Sequence, residues 1–160
     1  MASFLTRGKP NGTAFVWMDR YIDAMRTGPR YLIQPEIGTL VASSIQRGVA
    51  LGHYQLRAWV IMANHVHVLL LPLISASRLL QSLKGYTARQ ANLLLGRTGQ
   101  KFWQAESYDH WVRDDKEMER ISVYIENNPV KAGLVDCAAM YSWSSANKSV
   151  ETSLDAAATR

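Results

Sequence analysis

The chain has 160 residues, enough for one domain with a buried core, and its 48% hydrophobic against 19% charged content excludes extended disorder. A single cysteine, Cys137, excludes an internal disulfide and a cysteine-based zinc cluster. Eighteen Lys and Arg against thirteen Asp and Glu give a net charge of +5. That excess is concentrated: residues 37–105 hold no acidic side chain but include Arg47, Arg57, Arg78, Lys84, Arg89, Arg97 and Lys101. A domain whose middle carries one sign of charge suits a polyanion such as nucleic acid, the plain alternative being a solvated face.

In chain order, Phe15, Trp17, Tyr21 and Ile22 suggest a short ordered piece, and Thr27-Gly28-Pro29 signals a loop. Ile37, Leu40, Val41 and Ile45 follow helical spacing over 35–48, with Pro35 suited to the first turn. Residues 54–61 and 65–71 read as strands, and Met62-Ala63-Asn64 is short enough to join them as antiparallel neighbours. Ser75 or Ser77 can cap a helix reaching about residue 95, with Leu79, Leu80, Leu83, Leu94 and Leu95 on its apolar side. Residues 102–113 are aromatic-rich and expected to be extended or looped. Asp114 and Glu117 have capping-box spacing, opening a helix to Asn127 or Asn128 that Pro129 and Gly133 close. One domain is expected over 1–148, with 149–160 a flexible tail. The longest apolar stretch, 66–74, is broken by Pro72 and far too short to cross a membrane. With no apolar leader in the first dozen residues, a cytoplasmic location is expected.

The chemistry is concentrated in WVIMANHVHVLLL, residues 59–71. Strand alternation turns His65 and His67 to one face and Val66, Val68 and Leu70 to the other. Two imidazoles on one face can hold a divalent metal, or can be core residues bonded to backbone carbonyls. A third ligand has to come from elsewhere in the fold, and a carboxylate one only from before residue 37 or after residue 105. Tyr124 and Asn128, four apart, share a helical face about 5–6 Å apart at Cβ. An amide oxygen is a suitable hard ligand for Mg²⁺ or Mn²⁺, and a tyrosine beside such an ion is a potential nucleophile. Each alone reads as structure: Tyr124 as packing, Asn128 as a helix terminus before Pro129. HVHVLLLP also has a superficial likeness to a histidine-triad phosphohydrolase, but Leu69 stands where the third histidine would be.

ANHVHVLL resembles the His-hydrophobic-His (HUH) motif of single-tyrosine transposases. The segment GRTGQKFWQAESYDHWVRDDKEMERISVYIENNPVKAGLV resembles the branch of REP-associated tyrosine transposases, with its Trp-Gln, Tyr-Asp-His, Val-Arg-Asp and Tyr-Ile-Glu-Asn-Asn-Pro-Val-Lys-Ala-Gly-Leu elements in order. The likeness covers roughly residues 54–145; residues 1–33 match poorly. It implies an α+β ferredoxin-like sandwich, an antiparallel sheet with helices packed on it and the tyrosine on a C-terminal helix. It places His65, His67 and Asn128 as ligands of Mg²⁺ or Mn²⁺ and Tyr124 as the nucleophile. The implied activity is single-strand cleavage and rejoining of hairpin or repeat DNA through a 5′-phosphotyrosine intermediate, by a monomer or homodimer. Lys84, Arg89, Arg97, Lys101 and Arg113 are candidates for DNA contact, and His110 and Tyr108 for supporting roles. Trp103 and Trp111 can stack on bases or fill the core, and Asn64 is read as serving the turn. Members of the family usually begin with a Tyr-His-Val-Thr-x-Arg strand, of which only Phe4-Leu5-Thr6-Arg7 would be a remnant here. A sheet short of one strand is therefore expected, which would leave an exposed edge. That departure keeps open a second reading, a DNA-binding relative that regulates without cleaving.

Overall fold

A computed structural model describes residues 14–19, 29–103 and 107–148, with backbone alone for 15–19 and 107–110. Four strands form one antiparallel sheet: β1 (Phe15–Asp19), β2 (Tyr54–Ile61), β3 (Val66–Pro72) and β4 (Ser107–Trp111), in the order β2-β3-β1-β4. Between β1 and β2 runs α1 (Pro35–Ala50), after a 3-10 turn (Tyr31–Ile33); between β3 and β4 runs α2 (Ala76–Leu94). After β4 come α3 (Asp115–Glu126) and the single turn α4 (Asn128–Lys131). The β-α-β-β-α-β order with interleaved strands is a ferredoxin-like α+β sandwich, as the resemblance implies.

The missing-strand expectation is overturned. Residues 15–19 form a central strand, pairing Met18 with His67 of β3 on one side and with Tyr108 of β4 on the other. The strand occupies the expected place in the sheet but not the expected letters, and the proposed remnant at 4–7 lies outside the described residues. Helix boundaries shift slightly. The α1 helix runs two residues past Gly48, and the tyrosine helix stops at Glu126 before restarting at Asn128. Leu94, expected on the apolar side of α2, is 60% exposed, whereas Leu95 packs against the core. The stretch read as extended or looped contains β4.

Alternation along β3 divides the core in two. Val66, Val68 and Leu70 join Tyr54, Trp59 and Ile61 under Ile37, Val41 and Ile45 of α1 and Leu79 and Leu80 of α2. On the opposite face Ala58, Val60 and Leu69 meet Ile125, with Met118, Ile121 and Tyr124 of α3 packed around them. Leu69, the position of the absent third histidine, is fully buried here. Trp103 proves to be a core residue whose indole N–H donates to Thr87 Oγ1 at 2.9 Å, so it is not a stacking platform. Trp111 packs partly buried against the same core.

The start of α3 is fixed as its sequence predicts. Asp114 accepts from Glu117 N–H at 2.8 Å, and the Glu117 carboxylate accepts in return from Arg113 N–H at 2.7 Å. The returning bond lands one residue earlier than in the standard capping box. Past α4, residues 143–145 line the free edge of β2. Ile61 N–H donates to Trp143 O and Ser145 N–H to Trp59 O, both at 2.9 Å, while Ser145 Oγ donates to Glu126 at 2.9 Å. The far half of that edge is interrupted by a bulge at Arg57.

One close approach joins α1 to the sheet. Tyr54 reaches across so that its hydroxyl donates to Ile45 O at 2.5 Å, and its ring lies over Gly48. Replacing a helical Gly by Ala is ordinarily worth up to about 1 kcal/mol of stabilisation. At this position the methyl would overlap the Tyr54 ring, and overpacking typically costs about 1–3 kcal/mol. Gly48→Ala is therefore expected to lower the urea unfolding midpoint, while a raised midpoint would show that the ring can swing aside.

Candidate active site

The site lies on the α3 face of the sheet, at the end where β2 turns into β3. Met62 N–H donates to His65 O at 2.8 Å, closing the connection around Ala63 and Asn64. His65 thus sits immediately before β3 rather than as its first residue, and His67 is the second residue of the strand. The alternation expected from sequence holds: the two rings are neighbours, 4.8 Å apart between centroids and nearly perpendicular. His67 lies between β2 and β1 in register with Val60 and Met18, and is 3% exposed.

From the other layer, α3 and α4 bring Tyr124 and Asn128 over this pair. The Tyr124 ring meets His67 edge-on at 6.0 Å, and the Asn128 amide nitrogen, Nδ2, is 3.4 Å from His67 Nε2. Asn128 is itself 6% exposed, far more buried than a helix terminus usually is. The four residues singled out in the sequence therefore form one cluster, although 61 positions separate His67 from Asn128. Lys131 completes it with an ammonium 4.4 Å from the centre of the Tyr124 ring, a cation–π distance. Sequence reasoning passed over Lys131, although its spacing of seven from Tyr124 and three from Asn128 placed it on the same helical stripe.

The chemistry of the donors suits a small divalent cation. Burial, with a smaller contribution from the neighbouring His65, lowers the pKa of His67 from 6.5 to about 3. Its imidazole is therefore neutral at ordinary pH, the form that binds metals. Its Nδ1 is buried without a hydrogen-bond partner among the described residues, while Nε2 faces Asn128. The Asn128 Nδ2 stands 3.4 Å from His67 Nε2, and half a turn of the amide about its Cβ–Cγ bond would present Oδ1, the atom able to bind such a cation, on the same side. No three His, Cys, Asp or Glu side chains converge among the described residues, so the amide is the natural third donor. His65, His67 and Asn128 thus fit the set that the resemblance implies.

Comparison with known proteins sharpens the reading. The family described as "Transposase IS200 like" matches residues 27–128, more than half of the chain. The chain belongs to the IS200-like transposases. A solved REP-associated tyrosine transposase bound to a REP hairpin has the same fold, with a TM-score of 0.64 and 21% identity over 90% of this chain and 82% of that one. A candidate transposase from Deinococcus radiodurans R1 is more distant, at a TM-score of 0.46 and 19% identity over 76% of this chain and 97% of the other. No curated protein matches the chain.

The remaining candidates of this IS200-like transposase are dispersed. Lys84 and Arg89 ride on α2, in the layer across the sheet from Tyr124. Arg97 lies over the Tyr31 ring at 4.5 Å and bonds Gln100 at 3.0 Å, with Lys101 exposed nearby. Arg113 precedes the first turn of α3, eleven residues and about 16 Å along the helix from Tyr124. None of these five is brought into the His–Tyr–Asn cluster. Tyr108 and His110 lie on β4, the former in the same register row as Met18 and His67.

The depressed pKa of His67 has a thermodynamic consequence. The unfolded chain takes up its proton near pH 6.5 but the folded one only near pH 3, so folding loses stability as pH falls between those values. His65 and Tyr124 face the same ring, and His65 acts in the same direction. In metal-free protein, urea unfolding free energy is expected to drop by on the order of a few kcal/mol between pH 6.5 and 4. His67→Leu should flatten that limb; an unchanged slope would place the loss elsewhere.

Proposed function

We propose that this IS200-like transposase is a metal-dependent enzyme that cuts and rejoins single-stranded DNA beside a hairpin or repeat, through a 5′-phosphotyrosine intermediate. The observation carrying this reading is the meeting of Tyr124 and Asn128 from α3 and α4 with His65 and His67 at β3. A Tyr beside two imidazoles and a buried amide is a costly arrangement for structure alone. The hairpin carried by the structurally similar REP-associated transposase supports hairpin DNA as the substrate.

His65, His67 and Asn128 would hold Mg²⁺ or Mn²⁺, which when bound polarises the scissile phosphate and offsets its developing negative charge. The chain's own groups do the rest. The Tyr124 oxygen forms a bond to phosphorus as the bond from phosphorus to the 3′ oxygen breaks. The phenolic proton is lost, and the departing oxygen gains one to become a 3′-hydroxyl. Attack by another 3′-hydroxyl reverses these bond changes and rejoins strands with no external energy source. Lys131 puts a positive charge beside the nucleophile, where the phosphate approaches. The acid-free stretch from 37 to 105 adds to the positive field that favours the approach of a polyanion.

The rival reading, a regulator that binds DNA without cutting, drew its support from the lost strand, and β1 removes that reason. A labelled pool of single-stranded hairpins with unpaired flanks separates the two. With Mg²⁺ or Mn²⁺, the wild-type chain is expected to give a detergent-stable protein–DNA adduct that EDTA prevents. Tyr124→Phe should reduce the adduct at least about a hundredfold while retaining hairpin binding. An adduct that survives in Tyr124→Phe excludes this nucleophile, and binding without any metal-dependent product favours the regulator.

A further inference from the structure

The residue before the histidine pair is placed to decide which nitrogen of His65 is available to a metal. Asn64 Oδ1 lies 2.7 Å from His65 Nδ1. An amide oxygen can only accept, and a neutral imidazole has one N–H and one lone pair. The bond therefore puts the proton on Nδ1 and leaves the lone pair on Nε2. An imidazole without such a partner favours the opposite tautomer, with the proton on Nε2, in which that nitrogen cannot act as a ligand.

The geometry points to Asn64 as a positioning residue that fixes the tautomer and ring angle of His65 so that Nε2 is ready to bind a divalent cation. This rests on the metal-site reading above and extends it to a residue outside the ligand set. The position is well suited to the task. Asn64 lies in the connection that the bond from Met62 N–H to His65 O closes, so a short fixed stretch of backbone holds the amide against the ring. The two histidines are not equivalent in this respect. His67 has no partner on Nδ1 among the described residues and is held instead by burial in β3 and by Asn128 on Nε2. His65 is only partly buried, so packing constrains its ring less and a hydrogen bond has more to decide. Amide or carboxylate partners on the far nitrogen of metal-binding histidines commonly change metal affinity 10–100-fold.

The test needs no DNA. Long-range proton–nitrogen correlation spectra of ¹⁵N-labelled, metal-free full-length protein near pH 8 resolve the tautomer of each of its four histidines. His65 is identified by its loss in His65→Gln. The expected result is an Nδ1–H pattern for His65 in the wild type, shifting toward Nε2–H in Asn64→Ala with the His67 pattern unchanged. Titration with Mn²⁺ alone, followed by electron paramagnetic resonance, should show affinity falling about 10–100-fold in Asn64→Ala and retained in Asn64→Asp, whose carboxylate also accepts. An Nε2–H tautomer of His65 in the wild type overturns the inference, as does unchanged Mn²⁺ affinity in Asn64→Ala. Wild-type protein with the Nδ1–H tautomer but no Mn²⁺ binding would instead overturn the metal-dependent function and leave the role of Asn64 in orienting the ring standing.

Discussion

An imidazole enclosed between apolar strands has to be satisfied or it destabilises the fold, and His67 is enclosed in this way. On the α3 side that requirement is met at one nitrogen, Nε2, while Nδ1 is buried without a partner among the described residues. The tyrosine helix lies across β2 and β3, its first turn anchored by the Asp114–Glu117 cap, and its far end delivers Asn128 to Nε2. Burial also keeps the ring neutral, the form in which an imidazole can bind a cation. The opposite face of the sheet is packed with Val, Leu, Ile and Trp under α1 and α2.

Positive charge is placed in two ways, dispersed and local. The basic residues of the acid-free stretch are spread over α1, β2, α2 and the turn after α2, away from Tyr124. They lie on both layers, Arg57 beside the start of α3 and Lys84 and Arg89 on α2. Lys131, in contrast, stands directly over the tyrosine ring. The diffuse positive charge and the single ammonium beside Tyr124 thus come from different parts of the chain.

Much of this was readable without coordinates, for identifiable reasons. The period of two through His65, Val66, His67 and Val68 set the faces of β3, because a strand buried on both sides leaves its polar residues conspicuous. The spacing of Tyr124 and Asn128 declared a shared helical face, and Asp114 with Glu117 declared where the helix begins. What stayed hidden lacked a local signature. The five-residue β1 is held by two neighbours distant in sequence, so its pairing is a tertiary fact that a search for family letters at the N-terminus passed over. Leu94 looks apolar by type but rotates to solvent in the last turn of α2. Asn64 reads as a turn residue because Asn is common in turns, and its bond to the next side chain shows only in three dimensions.

The strip at 143–145 has a further implication. Unpaired strand edges invite other chains to extend a sheet, and β2 is an outermost strand here. By laying its own backbone along Trp59 and Ile61, the polypeptide occupies that template itself, while the Arg57 bulge spoils the remaining half. Because Ser145 also clasps Glu126, the hem of the sheet and the helix bearing the phenol are sewn together within one molecule.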